Sequence, residues 1–356
     1  MEILRQPDTF TLSTALDTIE VNPGTDNLLR FEIRCGDDQV LAPEIYRRQG
    51  DTIRIHGYHK AIEHYLRGAE ATVFLLPGQR VARDFTFIYT TDSDEATRTH
   101  RVLLCNVRMN ISATLFTATH FLTLCEREKR TSLTRTETLA IYNPPADSTV
   151  RVEALYLQGD NTVTAGFTAP LLIRPQGESL SIGYVNVSPR LYQSSGKKLL
   201  YYIVAHGNKH FRFDIVEQKN EQHFVFRNTF GCEETFTFRG LAESEADYQR
   251  AFGYFSGRYR TFDTRNEKKF HANTGPLPQN EAAWIEDLFA STELHLYNSG
   301  GLIHELTTLD QDVKRANSPD ELPSFDITYR LAADRPPFDA ELLTRTFDET
   351  FDYTFK

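Results

Sequence analysis

Short segments in which apolar and polar residues alternate recur along the chain, and this pattern constrains the fold more than any other sequence feature. In the segment Phe211-Arg212-Phe213-Asp214-Ile215 every second side chain is apolar. A period of two is typical of a β-strand with one face in a core and one in water. Polar turn sequences such as NPGTD (22–26) and HGNK (206–209) separate the segments. We predict strands at 28–35, 51–58, 71–76, 82–91, 101–107, 113–124, 137–143, 150–158, 163–169, 179–188, 199–207 and 210–218, and within 223–240.

Many short strands with polar turns predict a mainly β fold of two or three β-sandwich-like or barrel-like domains, with one or two short helices. The chain has 356 residues, whereas single cores stop growing near about 250–300 residues. The double proline in YNPPADST (142–149) forbids both a helix and a central strand, so it marks a break. A second, polar and glycine-spaced break follows FRG (238–240). We therefore predict an N-terminal β domain at 1–144, a middle one at 145–240 and a C-terminal one at 241–356.

Two segments depart from the alternating pattern and predict helices. The first, 58–68, has apolar residues on one side and ends at Gly68, which is typical of a helix stop. The second lies near 279–291, where Asn280 can cap the helix and Glu281 and Glu286 fall towards its outer face. We expect its lone tryptophan to anchor the helix against a sheet. Its apolar stripe consists of Trp284, Ile285, Leu288 and Phe289.

Charge and hydropathy exclude several classes of protein. The formal net charge of −10 disfavours a general nucleic-acid-binding protein, which needs a basic face to neutralise phosphates. No segment approaches the run of about 18 apolar residues that a membrane-spanning helix needs. The first residues lack the basic and apolar regions of a signal peptide. We therefore expect cytoplasmic synthesis without a signal peptide and no membrane span.

No catalytic, metal-binding or cofactor-binding motif is present. Nucleophile-elbow, phosphate-loop and dinucleotide-binding patterns are missing, and the four cysteines form no CxxC pair. His59 and His64 are five residues apart, whereas a helical zinc site places two histidines four apart. We predict no catalytic residue, no metal ligand and no cofactor.

The stretch HFVFRNTFGCEETFTFRG (223–240) raises the question of a hidden site, because Cys232 and two acids lie between alternating phenylalanines. Both phenylalanine runs can bury one face of a strand, which makes RNTFGCEE the connector. Gly231 can supply an unusual backbone angle, and Phe230 can hold the loop against the protein. We interpret the stretch as scaffold.

Two aromatic segments are candidates for interaction. In FGYFSGRYRTFD (252–263) aromatic rings cluster around two arginines, which suits either glycan binding or a buried hairpin. The candidate binding residues are Tyr254, Phe255, Arg258, Tyr259 and Arg260. The alternating end of the chain, 344–356, can pair with a neighbour's strand edge. Its candidate assembly residues are Phe347, Phe351 and Tyr353.

Three segments together carry a resemblance to known proteins. They are VLAPEIYRRQGDTIRIHGYHKAIEHYL (40–66), the N-T-F-G-x-x-E pattern at 228–234, and a second pattern near the predicted C-terminal helix. The residues of that second pattern are Thr274, Pro276, Leu277, Trp284, Asp287, Leu288 and Ser291. In this order the segments resemble uncharacterised β-rich structural proteins of phages and prophage-like elements of gut anaerobes. The resemblance implies a virion component and no particular activity.

These observations predict a non-enzymatic structural protein of a phage-like particle, in its tail, baseplate or head–tail region. Such a protein would assemble through strand edges and apolar patches, as a homo-oligomer and with other structural proteins of the particle. The alternative is a carbohydrate-binding or cell-surface-binding β-sandwich module with a glycan ligand. A hydrolase stays possible on a β fold, but no residue pattern favours one.

Overall fold

The fold is mainly β, as the alternating pattern predicts. A computed structural model describes residues 1–68, 81–177, 180–216, 221–297, 303–312 and 322–332. These described residues form five β-sheets and three helices. The helices are α1 (His59–Arg67), α2 (Ala113–Thr119) and α3 (Gln279–Phe289). The predicted strand at 71–76 and the terminal segment 344–356 lie outside the described residues.

The chain divides into two compact units. The first comprises Met1–Ile215 and Arg227–Glu234, and the second comprises Val216–Phe226 and Thr235–Lys356. The finer partition at 144 and 240 stays a prediction. The strands up to residue 215 are β1 (Glu2–Arg5), β2 (Phe10–Leu12), β3 (Ile19–Asn22), β4 (Leu28–Cys35), β5 (Asp38–Arg47), β6 (Ile53–Ile55), β7 (Ala82–Thr90), β8 (Glu95–Leu103), β9 (Glu128–Thr131), β10 (Thr138–Tyr142), β11 (Thr149–Gln158), β12 (Asn161–Pro170), β13 (Leu172–Pro175), β14 (Ser181–Asn186), β15 (Lys198–His206) and β16 (Lys209–Ile215). The later strands are β17 (Gln222–Arg227), β18 (Glu233–Phe238), β19 (Ala242–Phe255), β20 (Arg258–Asn273), β21 (Leu294–Tyr297), β22 (Ile303–Asp312) and β23 (Asp326–Leu331).

The first core of unit 1 joins a five-stranded sheet, β2-β8-β7-β4-β5, to a three-stranded sheet, β1-β3-β6. Strand β7 shows why this sequence forms a half-buried strand, because Phe85, Phe87 and Tyr89 are fully buried at alternate positions. The ring of Phe31 on β4 meets that of Phe87 edge to face, with centroids 5.7 Å apart. Helix α1 adds the fully buried Ile62 to the same core.

The other two sheets of unit 1 have the orders β12-β11-β15-β16-β9 and β10-β14-β13. Aromatic residues pack against the five-stranded one: the rings of Tyr202 and Phe213 stack at 4.8 Å, and Tyr192 meets Tyr202 at 5.0 Å. A separate core cluster contains Ile182 from β14, Phe116 from α2 and Phe230 from the loop between β17 and β18.

Helix α2 overturns the strand predicted at 113–124. Ser112 accepts a hydrogen bond from the backbone N–H of Leu115 at 3.3 Å, which satisfies one free donor at the start of the helix. The buried positions Ala113, Phe116 and Thr117 follow the spacing of a helix face. The threonine-rich composition favours a strand, but the Ser112 cap and the buried face stabilise a helix.

Unit 2 is built on a seven-stranded sheet with the order β18-β17-β21-β22-β23-β20-β19. Helix α3 packs on this sheet through Trp284, whose ring lies 4.9 Å from that of Phe236 and 6.0 Å from that of Phe226. The predicted anchoring role of the tryptophan is confirmed. Burying an aromatic side chain of this kind contributes about 1.5–3 kcal/mol to folding.

The start of α3 differs from the prediction. Pro278 occupies the cap position without a side-chain hydrogen bond, and Asn280 lies inside the first turn. Glu281, expected on the outer face, is buried, as is Asp287. Part of the face of α3 that was predicted to be exposed is therefore buried. The spacing of apolar residues within the helix does not show this burial. None of the helices among the described residues is long and apolar enough to cross a membrane.

Candidate functional site: a projecting hairpin

Strands β19 and β20 form a hairpin that extends well beyond the sheet of unit 2. They pair from Ala242↔Ala272 to Phe255↔Arg258, but β23 pairs with β20 only through Phe270–Asn273. Beyond those four residues the hairpin has two strands only, among the pairings that the structure describes. We call residues 245–269 the arm. At about 3.3 Å per residue, its two strands extend about 33 Å from the sheet.

The turn at the end of the arm has the sequence and geometry of a tight hairpin. It consists of Ser256 (φ 51°) and Gly257 (φ 77°), between the paired residues Phe255 and Arg258. Two central residues with positive φ match the right-handed twist of the flanking strands. The local sequence therefore encodes the reversal of the chain by itself.

A bulge interrupts the arm near this turn. Ala251 pairs with Asp263 and Phe252 with Thr261, so that Phe262 is an additional residue on β20. A bulge of this kind bends the strand, increases its twist and redirects side chains. It falls where the aromatic residues of the arm begin.

The aromatic residues of the arm are exposed. Directly opposed residues share a face, so Tyr254 and Tyr259 lie together, and their ring centroids are 5.0 Å apart. On the opposite face the Phe255 ring covers Gly253, where an added Cβ would overlap the ring. The exposed fraction of these side chains ranges from 54% to 79% for Tyr248, Phe252, Tyr254, Phe255, Tyr259 and Phe262. Single exposed apolar residues are ordinary, but a contiguous group marks an interaction surface.

The structure brings all five candidate binding residues together at this end of the arm. Arg258 and Arg260 are exposed beside the tyrosines. The buried hairpin considered as an alternative is wrong, because the side chains of Tyr254, Phe255 and Tyr259 are 54% to 79% exposed. Sequence reasoning did not select Tyr248, although it continues the alternating series towards the base of the arm. The candidate assembly residues Phe347, Phe351 and Tyr353 lie outside the described residues, so their role stays a prediction.

The two strands of the hairpin, β19 and β20 over their full length, carry opposite charge. Strand β19 contains Glu243, Glu245 and Asp247 near the base and one cation, Arg250. Outside the segment 263–266, strand β20 contains four cations and one acid. Those five residues are Arg258, Arg260, Glu267, Lys268 and Lys269. The net charge is therefore −2 on β19 and +3 on the residues of β20 outside 263–266.

The loop RNTFGCEE (227–234) has the geometry of a scaffold. Gly231 has the predicted positive φ, 74°, and the Phe230 ring stacks on that of Phe116 at 5.0 Å. The Asn228 side chain accepts hydrogen bonds from the N–H groups of Phe230 and Cys232 and donates one to the carboxylate of Glu234. These contacts close the loop within unit 1.

The cysteine of this loop is a poor nucleophile. Cys232 is fully buried, and burial raises the pKa of its thiol to about 12. The thiolate is therefore scarce at neutral pH. None of the four cysteines forms a disulfide bond. Among the described residues no group of three or more His, Cys, Asp or Glu side chains could hold a metal ion.

Unit 1 contains an open cleft of about 400 Å³. The rings of Phe10 and Tyr142 stack there at 4.9 Å, and Arg101 donates hydrogen bonds of 2.8 and 3.0 Å to Asp84. Because these rings and charges already contact each other, they do not define a ligand. The cleft is lined by Thr9, Phe10, Asp84, Thr99, Arg101 and Tyr142.

Comparison with known proteins adds no relative to this picture. The chain matches no protein-family model, and no curated protein matches it. The resemblance to phage proteins therefore stays a prediction.

Proposed function

We propose that the chain is a non-enzymatic structural protein that joins its neighbours in an assembly through the arm. The observation that carries this proposal is a two-stranded arm with exposed aromatic rings at its end. A two-stranded hairpin alone is at best marginally stable in water. Exposed rings and free strand edges also favour association with other chains. A partner that covers them stabilises the arm and gains buried area.

The assembly that we propose is a phage-like particle, in which the chain belongs to the tail, baseplate or head–tail region. The resemblance of the segments at 40–66, 228–234 and 274–291 supports this identity. The mainly β architecture with short helices suits such a role. The exposed arm supports assembly independently of the resemblance, whereas the proposed kind of particle depends on the resemblance.

Shortening the arm tests the proposal. In the variant, residues 247–267 are replaced by Asn-Gly, so that the paired residues Ala246 and Lys268 flank a two-residue turn. We expect the native chain to form oligomers that grow with concentration in light scattering, and the variant to stay monomeric. Its melting temperature should change little, because the removed residues lie beyond the sheet.

Two results would contradict the proposal. The first is a native chain that stays monomeric over the whole concentration range and joins no purified particle. The second is a shortened variant that associates as well as the native chain. A matched control is the double variant Tyr201→Ser/Leu172→Ser, because both residues lie on strands of unit 1, remote in sequence from the arm.

The exposed tyrosine pair also favours a second function, the binding of a cell-surface glycan. Tyr254 and Tyr259 present aromatic faces beside Arg258 and Arg260, a combination that can stack on a sugar ring and donate to its hydroxyl groups. Under this alternative, Tyr254→Ala/Tyr259→Ala removes binding on a glycan array and leaves the melting temperature unchanged. An array without any bound glycan excludes this alternative.

A further inference from the structure

We propose that the arm pairs with the arm of a second copy of this chain, strand β19 against strand β19, in antiparallel fashion across a two-fold axis at Ala251. The inference rests on the proposed assembly function and specifies its contact. It follows from the free edge of β19, from the charge of that edge and from the positions of its aromatic residues.

Strand β19 has a free edge along its whole length, among the strands that the structure describes. It is the last strand of the seven-stranded sheet, and its pairing partner is β20. Strand β23 pairs with the opposite edge of β20, so it does not obstruct an addition to β19. A two-stranded hairpin is at best marginally stable in water, and the addition makes the arm part of a four-stranded sheet.

The turn of the arm determines which backbone groups of β19 point outwards. Phe255 and Arg258 flank a two-residue turn, and the pair at this position exchanges hydrogen bonds within the hairpin. Tyr254 therefore directs its N–H and C=O groups away from β20, and alternate residues towards the base do the same. These groups are available to a second β19 strand. The residues that carry them are Tyr248, Arg250, Phe252 and Tyr254.

Symmetry and charge limit the registers in which two β19 strands can pair. Directly opposed residues of antiparallel strands share a face, so a two-fold axis lies beside one residue of β19, which then faces its own copy. An axis at Arg250 would oppose two arginines, and like charges directly opposite are destabilising. An axis nearer the base would bring the partner's turn level with Ala242, in the part of the hairpin that the sheet includes. An axis nearer the turn would leave Tyr248 without an opposed strand residue, so the axis lies at Ala251.

In this register the aromatic residues of the two copies meet on one face. Tyr248 lies opposite the partner's Tyr254, and Arg250 lies opposite the partner's Phe252. Tyr254 already contacts Tyr259 of its own copy, with ring centroids 5.0 Å apart, so the partner's Tyr248 extends an existing pair. Cross-strand aromatic pairs and a guanidinium beside an aromatic ring both favour the contact.

The charge of the paired edge does not oppose this contact. Residues 247–255 of β19 contain one acid, Asp247, and one cation, Arg250, so their net charge is zero. Glu243 and Glu245, which make β19 negative as a whole, lie outside the paired part. The contact therefore depends on backbone hydrogen bonds and on aromatic rings, and it needs no excess of opposite charge.

The same register keeps the sheets of the two copies apart. The partner's Ser256, the first residue of its turn, comes level with Ala246 and stops short of the residues that β23 joins. The two copies of residue 245 lie about twelve strand positions apart, or about 40 Å. The seven-stranded sheets thus lie at opposite ends of the paired arms, and the contact is closed and two-fold.

A cross-link tests the position of the axis. In Ala251→Cys the two new thiols face each other in a pair without backbone hydrogen bonds, whose Cα atoms are about 4.5 Å apart, a spacing that suits a disulfide. The matched control Ala246→Cys places the same change on the same strand, but its two thiols lie about 33 Å apart. After mild oxidation, non-reducing electrophoresis should show a covalent dimer of Ala251→Cys and only the native background for Ala246→Cys. Equal amounts of dimer from the two variants overturn the inference.

A proline on the free edge tests the backbone pairing. Arg250→Pro removes an outward N–H that β20 does not use, and proline is tolerated on such an edge. Each dimer then loses two hydrogen bonds, so association in light scattering should weaken about tenfold or more. The matched control Arg250→Thr loses the same side chain but keeps the N–H, so it should associate more strongly than Arg250→Pro. Equal association of these two variants contradicts edge pairing.

The variant in which residues 247–267 are replaced separates this inference from the assembly proposal. If it stays monomeric while Ala251→Cys and Ala246→Cys cross-link alike, the arm has another partner or another register. This inference then falls and the assembly proposal stands. If the shortened variant associates as well as the native chain, both fall.

Discussion

At the scale of single residues, burial determines which side chains can change their charge state. His100 on β8 is 1% exposed, its Nδ1 lies 3.1 Å from the carbonyl oxygen of Asp8, and its ring lies 4.6 Å from that of Phe87. Burial lowers the pKa of His100, against a smaller opposing effect of the Asp8 carbonyl. The native state therefore holds this imidazole neutral.

This lowered pKa predicts a loss of stability on mild acidification. The unfolded chain binds a proton near pH 6.5, whereas the native state does so only at lower pH, so the contribution is present above about pH 6.5 and is lost as the pH falls. The free energy of unfolding should decrease by at most about 1.4 kcal/mol per pH unit for this group. His100→Gln should reduce the slope measured by urea unfolding between about pH 7.5 and about pH 5.5.

Part of that slope should persist in the variant, because burial also lowers the pKa values of His120 and His206. Parallel curves for the variant and the native chain would show that His100 does not titrate in this range.

The role of a single residue could be predicted where its type favours one structural role, such as a positive φ for glycine. The positive φ of Gly231 and the anchoring by Trp284 are of this kind. The burial of Glu281 was not, because it depends on what covers the helix from outside its own sequence. Alternation and glycine placement report local geometry, whereas burial of a charge reports tertiary packing.

At the scale of elements, the arm shows how local sequence can build a structure that the sheet does not support. The bulge at 261–263 and the turn at Ser256 and Gly257 set its shape. Strands β19 and β20 were not among the predicted strands, because the polar, glycine-spaced sequence after FRG (238–240) indicated a break. Only a hairpin within 252–263 was considered, and as a buried one. A period of two shows that one face of a strand is apolar. Only the tertiary structure shows whether another layer covers that face.

The turn carries a testable part of this stability. Gly257 has φ 77°, where a residue with a side chain costs about 1–2 kcal/mol. Gly257→Ala should therefore lower the protection of the arm's amides from hydrogen exchange about 5- to 30-fold, and leave the amides of Phe270–Asn273 unchanged. The matched control is Gly166→Ala on β12, where an added Cβ meets nothing within 4 Å and φ is ordinary. Equal protection of the arm in both variants would mean that the turn does not limit its opening.

At the scale of the whole molecule, net charge opposes assembly. Each copy has a formal net charge of −10, so copies repel one another over long distances. The exposed rings at the end of the arm favour association through burial of apolar surface, which screening does not weaken. Salt screens the repulsion, because the Debye length is about 30 Å at 0.01 M, about 10 Å at 0.1 M and about 3 Å at 1 M.

Association of the native chain should therefore strengthen as salt is added. Between about 0.01 M and about 0.1 M sodium chloride, screening removes most of the long-range repulsion. Burial of the aromatic rings is not weakened by screening, so association should not fall between about 0.1 M and about 1 M. Light scattering at fixed protein concentration measures this curve. The variant with the shortened arm lacks these rings and should stay monomeric at every salt concentration, because nothing then offsets the repulsion. Association of the native chain that weakens steadily with salt would instead assign the contact to pairs of opposite charge.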